Sequence, residues 1–205
     1  DREVQLLVQT GTSVTHCPCS NMKLASGPAR VGYYREQGLT VALGTDGEKE
    51  NNNLDMLEEM KFASLLWKVS TLDPTVGEPW DILDMATREG AKALGLDEVT
   101  GTLEEGKDAD IVMVDLRSLH FVPLLHGEYF NAPAHLVFTA SAHDVSNVWV
   151  KGQHLVEDGE VISVDVADVA VRAQSAAEEL FERRSALHGK TPSPATDLGK
   201  NVPQI

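Results

Sequence analysis

Apolar residues recur along the first hundred positions in two alternating rhythms. Residues 1–11 carry Val4, Leu7 and Val8 at helical spacing and stop at Gly11, which predicts the end of a helix. Residues 13–17 are short, β-prone and cut off by Pro18, which predicts a buried strand followed by a loop over 19–28. A short helix is expected over 29–37, closed by Gly38 just past its end. Leu39-Thr40-Val41-Ala42-Leu43 shows no alternation, which suits a parallel strand covered on both faces, and it ends at Gly44-Thr45-Asp46-Gly47. After a polar loop, 53–69 reads as a helix with Leu54, Leu57, Phe62, Leu65, Leu66 and Val69 on one side, capped by Asn52 or Asn53. Pro79 opens another helix that runs to Leu94 and stops at Gly95. Helices and strands take turns, the order from which parallel sheets and barrels are built.

The rhythm changes near Gly101. A turn over 103–106 precedes a strand over 110–115. Residues 145–150 and 154–156 form a hairpin about Lys151-Gly152, and a second turn at Asp158-Gly159 leads to Val161-Ile162. Residues 167–187 read as an amphipathic helix, and 190–205 as a polar tail that wraps or frays. The division expected is 1–100 for βα units, 101–165 for a small β-rich part, and 166–205 for the closing helix and tail.

Composition narrows the function classes. Of 205 residues, 42% are hydrophobic and 24% charged, the balance of a soluble globular protein. No run of about eighteen apolar residues occurs, so no membrane-spanning segment is expected. The formal net charge is −15, from 32 acidic against 17 basic residues. Such a surface repels a polyanion, so no nucleic-acid partner is expected, whereas a small neutral or cationic ligand is compatible. Salt adaptation is another reading of the acidity. Cys17 and Cys19 lie too close together to close a stabilising loop, which favours a reducing cytoplasm. The chain opens on Asp1-Arg2-Glu3 with neither initiator Met nor visible signal peptide, and reads as beginning inside a longer protein.

Asp46 is the residue on which the chemistry turns. It follows a buried parallel strand, where barrel enzymes place catalytic groups, and Gly44 and Gly47 beside it allow close backbone approach. A carboxylate there binds a divalent metal and relays a proton, or simply caps the next helix or starts a turn. His16 also ends a strand. It either touches substrate at the same rim, or hydrogen-bonds within the rim and orders the following loop, since a lone His lacks ligand spacing. Cys17-Pro18-Cys19 lacks the spacing and the second pair of a zinc site, which leaves buried thiols. His120, His126, His135, His143 and His154 are scattered and form no self-contained centre. Glu58-Glu59 lies on a helix with one of the two facing solvent and neither read as functional, and Glu48-Lys49-Glu50 reads as a charged loop that either borders the pocket or is merely solvated.

Longer stretches carry a resemblance. They are Thr15-His16-Cys17-Pro18-Cys19-Ser20-Asn21-Met22-Lys23-Leu24-Ala25-Ser26-Gly27, and Leu43-Gly44-Thr45-Asp46-Gly47 with Asn51-Asn52-Asn53-Leu54-Asp55-Met56 and Glu58-Glu59-Met60. Further on come Met85-Ala86-Thr87 with Gly90-Ala91-Lys92-Ala93-Leu94-Gly95, then Gly101-Thr102-Leu103-Glu104-Glu105-Gly106-Lys107-Asp108-Ala109-Asp110-Ile111-Val112, and Val148-Trp149-Val150-Lys151-Gly152. Together, in order over about 3–165, they resemble the methylthioadenosine/S-adenosylhomocysteine deaminase and triazine chlorohydrolase group of the amidohydrolase superfamily.

The resemblance implies an α/β fold: the C-terminal part of a (β/α)8 TIM barrel, its last two strands at 13–17 and 39–46, plus part of a small β-rich domain. Asp46 matches the family's metal ligand and proton shuttle, so catalytic, metal and substrate-binding roles fall on Asp46, with His16 as a second substrate contact. The implied cofactor is one divalent ion, zinc or alternatively iron. The implied substrate is a small heterocycle: an adenosine derivative, a guanine-like or pterin-like ring, or a triazine. Retention of Asp46 favours deamination over dechlorination. The family's other ligands, an H-x-H pair and two further histidines, match nothing here, so the rest of the barrel is expected from a missing N-terminal part or another chain. Two strands of eight leave an open apolar edge, an aggregation hazard. A homo-oligomer is expected, with 167–187 as a contact, and a truncated non-catalytic assembly module is the rival reading.

Overall fold

The computed structural model describes residues 2–188; the tail expected over 190–205 lies outside them. Helix α1 (Arg2–Gln9) buries Val4 and ends before Gly11, whose φ of +65° releases the chain. Strand β1 (Val14–His16) then runs parallel to β2 (Val41–Leu43), in the register Val14↔Val41, Thr15↔Ala42 and His16↔Leu43. All three residues of β2 are buried, as its unbroken apolar run requires.

Between the strands lie α2 (Pro18–Lys23) and α3 (Val31–Glu36). The sequence reads a loop where α2 stands. Proline occupies its first turn, where a missing N–H costs nothing, so Pro18 starts this helix and does not block it. Gly38 (φ +86°) stops the chain after α3 as expected. Beyond β2, the polar loop contains a single helical turn, α4 (Glu48–Asn51), and Asn52 leaves it at φ +77°.

Helix α5 (Met56–Thr71) is capped by neither Asn52 nor Asn53. Asp55 caps it, its carboxylate accepting the N–H groups of Leu57 (2.9 Å) and Glu58 (3.3 Å). The buried face differs too. Glu59, Met60, Ala63 and Ser64 point inward, while Leu54, Leu65 and Val69 are 62%, 42% and 64% exposed. Counting only apolar side chains picks the wrong stripe, because Glu59 and Ser64 find hydrogen bonds inside. Ser64 donates to the Gly77 carbonyl at 2.7 Å. The helix expected over 79–94 is two: α6 (Pro79–Ala86) and α7 (Arg88–Ala93), broken at Thr87 (φ −122°, ψ −88°).

The core gathers Val4, Val31, Leu39, Val41, Leu43, Met60, Ala63, Ile82 and Met85, with Val137 from a later helix. Downstream, β3 (Ile111–Val114) pairs antiparallel with β4 (Val145–Val150), which pairs antiparallel with β5 (Gln153–Glu157); the two-residue β6 (Glu160–Val161) ends the sheet order. The β4–β5 turn is Lys151-Gly152, both at positive φ as a tight hairpin needs. Helix α8 (Ala132–Phe138) carries Val137 into the core against α5 and α6. The chain divides into two compact units after Glu160, and α9 (Val166–His188) belongs to the second. Among the described residues, no helix is long and apolar enough to cross a membrane.

Asp55 also ties α5 to the later chain, accepting the Ala142 N–H at 3.0 Å. Asp55→Ala is expected to lower the unfolding free energy by about 2 kcal/mol. Asn53→Ala should cost less than about 0.5 kcal/mol. Urea unfolding of the two variants checks the assignment of the cap.

Candidate functional site

The site begins where β2 ends. A Cβ on Gly44 would lie 2.6 Å from Thr15 Cγ2, so glycine is what lets the two strands approach here. The ladder continues one step, with Gly44 N–H donating to the His16 carbonyl at 3.0 Å. The chain then turns sharply: Asp46 adopts φ +60°, a left-handed conformation that costs a non-glycine residue about 1 kcal/mol. Gly47 follows in extended conformation and leads into α4.

Both carboxylate oxygens of Asp46 are held. Oδ2 accepts the Ser20 hydroxyl at 2.7 Å and Oδ1 accepts the Gly47 N–H at 2.7 Å. Those donors, Ser20 foremost, pull the carboxyl below its usual range. Asp46 is exposed, so an ionised carboxylate of fixed direction faces outward from the end of a parallel strand. Behind it, Asn51 Nδ2 donates to the Thr45 carbonyl at 2.7 Å and to Glu59 Oε1 at 2.6 Å. Glu59 is fully buried, and its Oε2 accepts the Cys19 N–H at 3.2 Å.

Burial raises the Cys17 thiol, and the Asp46 and Glu59 charges raise it further; burial and a hydrogen bond to Glu59 raise Cys19 strongly. Both are free, and both favour the protonated thiol.

His16 is 3% exposed, and strand alternation places it on the face of Val14, whose neighbours Val41 and Leu43 lie in the core. Its Nδ1 has no hydrogen-bond partner, and burial pushes its pKa down to about 4. No hydrogen bond joins it to Asp46 among the described residues. The structure therefore brings Ser20 to Asp46, ties Asn51 and Glu59 to the residues beside them, and leaves His16 buried behind the strand.

The other expectations resolve simply. Glu48, Lys49 and Glu50 lie in α4 and not in a loop, and Lys49 pairs with Glu50 at 2.9 Å. His120 meets Asp144 at 2.9 Å, His135 contacts Asn131 and Pro123, and His154 stacks on Trp149. Of the Glu58-Glu59 pair it is Glu59 that turns inward; it lies within reach of Cys19 across 40 positions, a distance no local pattern spans. Its signal was its place on the helical face of Met56, Met60, Ala63 and Trp67. A cleft of about 840 Å³ is lined by Thr15, Ala42, Leu43, Gly90, Ala91 and Ile111. Neither Asp46 nor His16 lines it.

Among the described residues, no group of three or more His, Cys, Asp or Glu could hold a metal ion. A tetrahedral zinc site takes three or four protein ligands. Asp46, ionised and with an outward lone pair left on each oxygen, fits one corner of such a site and no more.

A parallel strand pair ending in an exposed, fixed carboxylate defines an α/β protein with its candidate chemistry at the strand ends. The chain belongs to the amidohydrolase family, whose model matches residues 1–155. It is 46% identical over 183 residues to a 5'-deoxyadenosine deaminase of Methanosarcina mazei, covering 89% of this chain and 41% of that protein. It is also 46% identical over 167 residues to a 5-methylthioadenosine/S-adenosylhomocysteine deaminase of Moorella thermoacetica, covering 82% and 38%. An adenosine deaminase from Xanthomonas campestris, solved with bound zinc, superposes with a TM-score of 0.82 at 36% identity over 88% of this chain and 40% of its own. Atrazine chlorohydrolase from Arthrobacter aurescens TC1, complexed with zinc, gives 0.74 at 27% over 85% and 38%. This chain thus spans about two-fifths of the length of the relatives it matches.

His16 carries a pH signature. Its folded pKa of about 4 lies below the usual 6.5, so between these values the unfolded chain binds the extra proton. Stability is complete above pH 6.5 and falls as pH drops toward 4, by up to about 3 kcal/mol. Urea unfolding from pH 7 to 4 should show this slope flattened in His16→Gln; equal slopes would rule the buried neutral imidazole out.

Proposed function

We propose that this chain is the C-terminal part of a metal-dependent hydrolytic deaminase acting on an amino-substituted purine-like ring. In this reading β1 and β2 are the last two strands of a (β/α)8 barrel, 1–100 hold its final βα units, 101–165 part of the small β-rich domain, and 166–205 a closing helix and tail. The Asp46 carboxylate carries the proposal: an anion fixed on both oxygens, facing outward past the carboxyl end of a parallel strand, where barrels place their chemistry. The remaining strands and histidine ligands come from a segment N-terminal to this one or from another chain. His16 stands as a second, weaker substrate contact, which would require its imidazole to leave the core face it occupies here.

Asp46 would hold one divalent ion, zinc, with iron as the alternative; two zinc-bound structural relatives support that choice. The ion, when bound, polarises a water by Lewis-acid action. Asp46 accepts a proton from the attacking water and hands it to the departing amine. The ring carbon exchanges its amino group for oxygen and ammonia leaves, so one water is consumed for each ammonia released. Ser20 and the Gly47 N–H keep the carboxylate aimed while it gains and loses that proton.

Adenosine derivatives are the favoured substrates, because the deaminase relatives are far more similar than the chlorohydrolase, at 46% against 27% identity. Guanine-like or pterin-like rings and triazines remain as test substrates, with triazine dechlorination as the alternative reaction. A truncated assembly module is the second reading, favoured because among the described residues no group of three or more His, Cys, Asp or Glu could hold a metal ion. We place the enzyme in the cytoplasm as a homo-oligomer, with no nucleic-acid partner.

Two measurements test this. In the full-length enzyme, ammonia release from 5'-deoxyadenosine and related nucleosides should fall by about a thousandfold or more in Asp46→Asn with the fold retained; a variant within tenfold of wild type defeats the role. The 205 residues alone should bind no zinc tightly and release no ammonia. Stoichiometric zinc with full turnover from this chain alone would refute the barrel reading.

A further inference from the structure

Asp46 is gripped from two directions, and both grips lead to one buried carboxylate. The residue before it, Thr45, offers its carbonyl to Asn51 Nδ2 at 2.7 Å, and the other hydrogen of that amide goes to Glu59 Oε1 at 2.6 Å. The second oxygen of Glu59 takes the Cys19 N–H at 3.2 Å, and the next residue, Ser20, donates its hydroxyl to Asp46 Oδ2 at 2.7 Å. Glu59 therefore orients Asn51, which fixes the backbone entering the left-handed turn, and anchors the first turn of α2, which fixes the carboxylate leaving it.

Packing does not explain Glu59. It is fully buried, and among the described residues no ion pair neutralises it, an arrangement that is costly unless its hydrogen bonds serve a purpose. What only an acceptor with two oxygens can do here is bind the Asn51 amide and the Cys19 N–H at once.

We propose that Asn51 and Glu59 are positioning residues for Asp46, holding its left-handed turn so that the carboxylate keeps its aim. The effect on turnover rests on the deaminase reading; the effect on the turn does not. Asn51→Asp keeps the shape and removes both donors, Asn51→Ala removes them without adding a charge beside Glu59, and Glu59→Gln places an NH2 group against a donor.

The test uses the full-length, zinc-loaded enzyme. Amide exchange at Gly47, whose N–H binds Asp46 Oδ1, should quicken about tenfold or more in the variants while the β2 amides keep their protection. With 5'-deoxyadenosine as probe, kcat should fall about a hundredfold with KM within about threefold. Lys23→Ala is the control: Lys23 ties α2 to α4 through the Lys49 carbonyl and Asn52, outside the ring of bonds, and should leave kcat unchanged. Unchanged Gly47 exchange overturns the proposal. So does a rise in KM alone, which would make Asn51 a substrate contact, or exchange that quickens in β2 as well, which would make the pair a fold determinant. If wild type releases no ammonia, the deaminase reading has failed, and Gly47 exchange alone decides the positioning role.

Discussion

A non-glycine residue stays in the left-handed region of backbone space only where its surroundings over-determine it. Asp46, at φ +60°, is so determined. The close approach of Gly44 to Thr15 fixes where β2 ends, and the Gly47 N–H and Ser20 hydroxyl fix where the carboxylate points. Loosening any of these would let the turn relax toward ordinary backbone and swing the carboxylate away from the end of the strand.

The electrostatics of the neighbourhood follow from the same arrangement. Asp46 is exposed and wrapped in donors, so it stays ionised. The Cys17 and Cys19 thiols, half-buried beside carboxylates, are pushed toward the protonated state. The imidazole of His16, enclosed in the core face, is held neutral. Three residue types that commonly bind metals thus stand within one loop-and-strand region, and only the carboxylate offers a charged donor outward. The donor chemistry suits a hard or borderline divalent ion, and among the described residues no group of three or more ligand-type side chains accompanies it.

The strands and the β/α alternation were legible because a parallel strand buried on both faces needs an unbroken apolar run, and Leu39-Thr40-Val41-Ala42-Leu43 supplies one. Gly38, Gly95 and the Lys151-Gly152 pair marked stops and a turn through the positive φ they adopt. The face of α5 was not legible, because periodicity counts apolar side chains and cannot see that Glu59 and Ser64 find partners inside. Pro18 misled because proline both ends strands and starts helices. Asp46 stands out by its place after a strand between glycines; Ser20, Asn51 and Glu59 matter only through contacts with residues up to 40 positions away.

The central claim is that Asp46 coordinates a divalent cation beyond the end of β2. Anomalous diffraction at the zinc edge from crystals of the full-length, metal-loaded protein addresses it without reference to turnover. A zinc peak is expected about 2.0–2.2 Å from an Asp46 carboxylate oxygen, completed by ligands from outside these residues. A fully occupied zinc whose coordination shell excludes Asp46 would contradict it.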